Sequence, residues 1–280
     1  MTDSFRCSAA SLTDGEPMAG TAPTDASYLL VEHPGPWGRD AVADSTLPPA
    51  VREHLAGLPD TRVHLVRRHG GAPDGPGIRV FSARPETGEL RTAVLARPDD
   101  LPALRPRDWA PYVGPLWLVC TNGRRDRCCA ELGRPVAAAL AASWPGATWE
   151  TTHLGGHRFA GTLVALPTGI TLGRLDAETA VASCRALVEG RVPLDHVRGR
   201  SGLDPRAQVA ELHLRRALGL TGLDEVRVAG HDGDDVLLEA DGRAWRAVVV
   251  REGGRARRQS CGDGPAKPTP AYRVDAVGTV

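Results

Sequence analysis

All but Lys267 of the 34 basic residues are arginine, a bias that reflects coding composition rather than function. Net charge is absent as well: Lys+Arg and Asp+Glu number 34 each, so no overall field draws the protein onto nucleic acid or anionic lipid. Aromatics make up only 4% of the chain, and none is interleaved in the basic stretches Arg198–Arg200 and Arg251–Arg258. These stretches are therefore expected to be solvated faces rather than stacking platforms for nucleic acid. No apolar run approaches the roughly 18 residues of a membrane span. Met1–Cys7 lacks the charged-then-apolar profile of a signal peptide, so the cytoplasm is the expected compartment. There is no G-x-G-x-x-G, P-loop or G-x-S-x-G, which removes the usual nucleotide-enzyme and serine-hydrolase readings. C-x-x-C is missing too, which weighs against a dithiol oxidoreductase.

What remains is 280 residues, 41% apolar and 24% charged, the profile of a globular chain of one large or two ordinary domains. Residues 1–26 are polar and read as an irregular arm. Ser27–His33 reads as a strand, Leu47–Leu58 as a helix, and Val63–Arg67, Ile78–Ser82 and Leu90–Leu95 as strands. Residues 97–113 are proline-rich and form a connector. A second block repeats the order: strand Gly114–Cys120, helix Arg127–Ala142, strands Thr148–Thr152, Phe159–Leu166 and Ile170–Leu175, then helix Asp176–Glu189 with an Asp cap. The shared β-α-β-β-β order suggests two related halves, with His33 at the place of Cys120. Helix Asp204–Leu218 and strands Val226–Val228, Val236–Ala240 and Trp245–Arg251 form a small C-terminal unit, followed by a tail over 253–280.

The chemistry-bearing residues lie in the second block. Cys120 ends its first strand, Cys128 and Cys129 open the following helix, and His153 and His157 bracket a loop containing Gly155-Gly156. The spacing is C-x8-C with Cys129, or C-x7-C with Cys128, and then H-x3-H. A cysteine in the first turn of a helix sits by unpaired N–H groups and the positive dipole end, which favours thiolate. Arg124, Arg125 and Arg127 push the same way, and Asp126 can cap the helix. Two soft thiolates plus two imidazoles suit zinc or an iron–sulfur cluster. The spacing is neither that of a Rieske pair, which takes one Cys and one His from each motif, nor the short Cys pair of a zinc finger.

CTNGRRDRCC at 120–129 followed by WETTHLGGHRFAGTLVALPTG at 149–169 resembles the sucrase/ferredoxin-like family, a branch of the thioredoxin-like ferredoxins. The family pattern has a Cys, an Arg-Asp pair, a second Cys nine positions after the first, and a later His-Leu-Gly-Gly-His. Arg125-Asp126 and Cys129 fall in register, so the resemblance selects Cys129 and leaves Cys128 as the alternative. It is densest over 114–175 and extends to CSAASLTDGEPMAGTAP at 7–23 and to the tail around Cys261.

The resemblance implies an α/β chain in three parts. A degenerate thioredoxin-like half spans 1–100, a thioredoxin-like [2Fe–2S] ferredoxin domain 101–192, and a small α+β unit 193–280. It further implies a [2Fe–2S] cluster on Cys120, Cys129, His153 and His157, with both imidazoles on one iron. An electron carrier or redox sensor is expected rather than a turnover enzyme, working with an unidentified redox partner protein and with neither nucleic acid nor membrane. Arg124 and Arg158 are expected beside the site, where they would tune it or dock an anionic partner. No carboxylate pair supports the "sucrase" of the family name. Two rivals stay open: a structural zinc interaction module on the same four ligands, and a metal-free thiol oxidoreductase using Cys120 with Cys128 or Cys129.

Cys184 falls on the apolar face of its helix and reads as core. Cys7 and Cys261 fall in loop-like segments and read as unreactive thiols, with a redox thiol as the alternative reading. His33, His54, His64, His69, His196, His213 and His231 are scattered and read as structural, surface or internally satisfied residues.

Overall fold

The computed structural model describes residues 5–71 and 75–280; residues 1–4 of the N-terminal arm lie outside them. Ser27–Glu32 forms β1, whose SYLLVE run is buried along nearly its whole length, as a strand covered on both faces requires. Helix α2 (Pro49–Ala56) crosses over to β2 (Thr61–Arg67), which lies parallel to β1. On its other side β1 pairs antiparallel with β3 (Ile78–Arg84), which pairs with β4 (Glu89–Leu95). The proline-rich connector folds as two short 3-10 turns, Pro98–Ala103 and Pro106–Asp108, and leads to a two-residue edge strand, β5 (Ala110–Pro111).

The second block builds the same pattern. β6 (Leu116–Cys120) is followed by α3 (Arg127–Ser143) and by β7 (Thr148–Thr151), parallel to β6. β8 (Leu163–Leu166) pairs antiparallel with β6, and β9 (Ile170–Leu172) with β8. Then come α4 (Ala177–Val188), opened by Asp176 accepting from the Thr179 amide, and β10 (Val197–Arg200) against β9. All ten strands share one sheet, in the order β10-β9-β8-β6-β7-β2-β1-β3-β4-β5. The two blocks meet at β2–β7, where Val66 faces Thr151 and Arg67 faces Glu150. The strand expected over Phe159–Leu166 begins only at Leu163, because His157–Phe159 forms a 3-10 turn.

Alternation along the strands separates the cores. Trp117 and Val119 enter a cluster with Val136 and Leu140 of α3 and with Cys184 of α4. Leu116, Leu118 and Cys120 face the other way, into a cluster with Cys129, Trp149 and Leu154 that also takes Tyr28 and Leu30 from β1. Leu29 and Val31 pack into a third cluster with Val51 and Leu55 of α2.

Two expectations need correction. Residues 7–13 of the N-terminal arm form a helix, α1 (Cys7–Thr13), which buries Cys7 and Ser11 one turn apart. The segment 253–280 is not a tail. After α5 (Pro205–Leu218), strands β11 (Val226–Asp232), β12 (Asp235–Ala240), β13 (Arg243–Arg257) and β14 (Lys267–Thr279) form a second sheet in sequence order. Pro268 and Pro270 are tolerated because β14 is an edge strand, which can leave backbone donors unpaired. No helix among the described residues is long and apolar enough to cross a membrane.

Candidate metal centre

β6 delivers Cys120 at its last position, buried on the Leu118 face. Only residues 121–126 separate it from α3, so the first turn of that helix is held against the strand end. Asp126 caps the helix, its Oδ1 accepting from the Cys128 amide at 2.9 Å. Gly133 fits the packing: a Cβ there would stand 2.1 Å from the Cys120 carbonyl oxygen, so any larger residue must push α3 off the end of β6. Cys128 and Cys129 are consecutive in this turn, so their side chains leave the helix in different directions. Cys129 enters the cluster that holds Cys120, and Cys128 packs on the other side with Cys7.

The loop after β7 brings His153 over the two thiols. Its Nδ1 lies 3.9 Å from the Cys120 Sγ and 3.9 Å from the Cys129 Sγ. The ligating atoms of Cys120, Cys129 and His153 all lie within 4.8 Å of one another. His157 stands one step farther out, its Nδ1 3.2 Å from the His153 Nε2, with the rings 4.8 Å apart. The thiols are buried and the imidazoles half-buried, so the sulfur end of the set faces the core. Of the two cysteines that open α3, it is Cys129 that meets Cys120 and His153.

The electrostatics suit a cation. The Cys120 thiol is held well below its ordinary range, first by the Cys129 thiol that donates to it, and further by His153 and the Leu154 amide, against burial. Cys129 is correspondingly pushed up, so the pair shares a proton and carries one thiolate. His157 is pushed down to about 4, by burial first and then by His153, so its ring is neutral and free to ligate at neutral pH.

The His153–His157 loop rests on Arg198. This residue is 1% exposed, with Nη1 donating to the Gly155 carbonyl at 3.1 Å and Nε to Thr21 Oγ1 at 3.1 Å. Gly156 sits at φ +69°, and a Cβ on it would stand 2.4 Å from the guanidinium. The expectation of a solvated Arg198–Arg200 face is therefore wrong: backbone carbonyls of neighbouring segments accept from Arg198, and Arg200 bonds the Thr168 carbonyl and Glu211. Nothing local in VRGR signals this burial.

Of the two arginines expected beside the site, Arg158 is there: its charge adds to the push that lowers His157, while its guanidinium is paired to Glu16 at 2.7 Å and lies over the Phe159 ring. Arg124 lines a cleft of about 270 Å³ with Trp37, Arg67 and Arg134, which none of the four Cys/His residues reaches. His153 lines a separate cleft of about 240 Å³, whose charged lining is Arg39, Asp40, Arg125 and Arg62, the last paired to Asp25 at 2.9 Å. Among the remaining histidines, His64 is buried and held neutral by burial, accepting from Arg62 Nε at 3.3 Å and stacking on Tyr28. Cys184 is fully buried in the core, as its helical spacing predicts.

Cys7 and Cys261 do not sit in idle loops. With Cys128 and Asp126 they form a second group whose ligating atoms lie within 4.8 Å of one another. Local sequence reasoning had no means of bringing together residues so far apart in the chain.

The profile of the sucrase/ferredoxin-like family matches residues 18–199, a span that contains Cys120, Cys128, Cys129, His153 and His157 and excludes Cys7 and Cys261. No curated protein and no solved structure matches the chain.

Proposed function

The chain belongs to the sucrase/ferredoxin-like family, and from that premise we propose that it is an electron-transfer or redox-sensing protein. In this reading Cys120, Cys129, His153 and His157 hold a [2Fe–2S] cluster on a thioredoxin-like scaffold. The observation that carries the reading is a mixed thiol–imidazole donor set, buried at its sulfur end, with one imidazole beyond the compact trio. Around a single tetrahedral zinc, sulfur ligands stand about 3.8 Å apart, given Zn–S bonds of about 2.3 Å. A set that extends beyond one such tetrahedron suits a two-iron core better than one ion.

When bound, the cluster supplies one-electron oxidation and reduction. The protein's part is to set the charge and the access. Two thiolates and two neutral imidazoles bring two negative charges where an all-cysteine site brings four, so adding an electron is easier and the potential lies above that of plant-type ferredoxins. The buried Cys120 and Cys129 exclude water from the sulfur side. The half-buried rings of His153 and His157 can each hold or release a proton at the ring nitrogen that does not ligate, which couples electron transfer to pH. In the cleft beside His153, Arg39 and Arg125 outnumber Asp40, with Arg62 already paired to Asp25, and give an acidic redox partner protein a place to dock.

The test is anaerobic purification after iron-replete expression, with iron, acid-labile sulfide and zinc quantified and the visible spectrum taken before and after dithionite. About two irons and two sulfides per chain, with colour that bleaches on reduction, is the expected result. Colourless protein without iron sinks the electron-transfer reading.

A further inference from the structure

The second cysteine group has no part in that reading. Cys7 begins α1, Cys128 lies in the first turn of α3, and Cys261 lies in the turn between β13 and β14. Successive members are 121 and 133 residues apart along the chain. Yet the Cys128 and Cys261 sulfurs stand 3.3 Å apart, and those of Cys261 and Cys7 3.7 Å apart. The Cys7 sulfur is 3.6 Å from Asp126 Oδ1. Cys7 and Cys128 are buried, and Cys261 is half-buried.

We propose that Cys7, Cys128, Cys261 and Asp126 form a structural zinc site that fastens the N-terminal helix and the C-terminal hairpin to the first turn of α3. The distances match the edges of a tetrahedron. Zn–S bonds of about 2.3 Å and Zn–O bonds of about 2.1 Å give S···S edges of about 3.8 Å and S···O edges of about 3.6 Å. The Cys7–Cys261 and Cys7–Asp126 separations lie at those values, and the Cys128–Cys261 pair needs to open by a few tenths of an ångström. Three thiolates and a carboxylate close four positions, the mark of a structural rather than a catalytic zinc.

The surroundings orient the ligands as a closed site requires. Asp126 Oδ2 accepts from the Cys261 amide at 2.8 Å and from Ser260 Oγ at 2.9 Å, while Oδ1 accepts from the Cys128 amide. Ser8 Oγ donates to the Cys128 sulfur at 3.2 Å. Arg257 pairs with Asp14, and Arg258 lies over the Phe5 ring, so the hairpin already rests on the N-terminal segment around the site. The Arg251–Arg258 stretch thus ends in contacts, not on a solvated face. A disulfide is the competing outcome, but it joins only two of the three sulfurs and leaves the third thiol unused beside the Asp126 carboxylate. Cys7 and Cys261 fall outside the matched span of 18–199, whereas Asp126 and Cys128 fall inside it.

The experiment uses the full chain, expressed with iron and zinc and purified anaerobically. Zinc X-ray absorption on the unaltered protein should show about three sulfurs and one oxygen per zinc, at about 2.3 and 2.1 Å. Cys7→Ser and Cys261→Ser should each remove about one zinc per chain while leaving iron content and the visible spectrum unchanged. Three results overturn the proposal: no zinc in the unaltered protein beyond any held at the first site, zinc retained in both variants, or a Cys128–Cys261 disulfide found by mass spectrometry. The spectroscopy on the unaltered chain decides even if a variant fails to fold. Should the first site hold zinc instead of iron, the two serine variants still lower the total by one, so the two readings fail separately.

Discussion

The two blocks of the large sheet repeat one set of pairings and differ at one end. In each, a buried central strand pairs parallel with the strand beyond a crossover helix and antiparallel with a third strand, which pairs with a fourth. Val31 and Val119 are the last residues of the central strands to pair with the third strand. The next position is Cys120 in one block and Glu32, not His33, in the other. Glu32 is spent locally: its Oε2 accepts from the Arg79 amide at 2.8 Å.

The connections differ more. Residues 33–48 separate β1 from the eight-residue α2, whereas residues 121–126 separate β6 from the seventeen-residue α3. A short connection presses the helix start onto the strand end, and the donor set forms there. The longer connection runs out instead to the other block, where Asn122 Nδ2 donates to the Gly38 carbonyl and Arg39 walls the cleft at His153. The shared scaffold therefore does not make the site; a loop length and a helix start do. The block without cysteines contributes a wall.

The largest effects should be one-sided. Cys120→Ser or Cys129→Ser should reduce bound iron to near zero, whereas Glu32→Gln and His33→Ala in the other block leave it unchanged, as read by iron assay and visible absorption. Iron lost equally on either side would erase the contrast between the blocks.

Next comes the seam between them. Glu150 of β7 is 4% exposed, and burial alone would push its carboxyl up. Arg67 at 2.8 Å and His69 at 2.9 Å, with Thr121 donating at 2.9 Å, outweigh burial and hold it below the usual range. Glu150→Ala strands these donors, and chemical denaturation should show a loss of about 2–4 kcal/mol. Because Thr121 follows Cys120, iron affinity should fall with it. A smaller loss, about 1–3 kcal/mol, is expected for Gly133→Ala, whose new methyl must push α3 away from the Cys120 carbonyl. The test that α3 seating matters to the site is that Gly133→Ala weakens iron retention under chelator challenge. Substitutions on α2 should not.

Much of this end of the molecule is legible in residues near one another. Cys120 at a strand end, the Asp126 cap and the start of α3 follow from an apolar run, a capping residue and helical periodicity. The adjacency of Cys129 and His153 came from the family pattern, because no local rule ties a helix start to a loop beyond the next strand. Helix α1 was not legible: CSAASLT is short and polar, and it is held by what it packs against. β14 was hidden because Lys-Pro-Thr-Pro reads as coil unless its edge position is known. The burial of Arg198 and the Cys7–Cys128–Cys261 cluster depend on tertiary contacts spanning over 100 residues, beyond the reach of spacing arguments.

The smallest expected effect concerns acid. In the metal-free chain His157 is pushed down to about 4, whereas an unfolded chain binds that proton near 6.5. Between those values the unfolded state takes up a proton that the folded state refuses, so stability falls as pH drops from about 6.5 to about 4 and levels off below. After solvent screening the loss should be about 1–2 kcal/mol. His157→Gln removes the titration, so urea unfolding at several pH values should give unaltered and variant proteins whose difference shrinks across that window. His33, at the matching end of the first block, is also pushed down by burial, and His33→Gln provides the parallel measurement. A contribution from His33 as large as that from His157 would mean that acid sensitivity belongs to the repeated scaffold. A contribution confined to His157 ties it to the rings packed over the thiols, which is where a metal would have to displace the same proton.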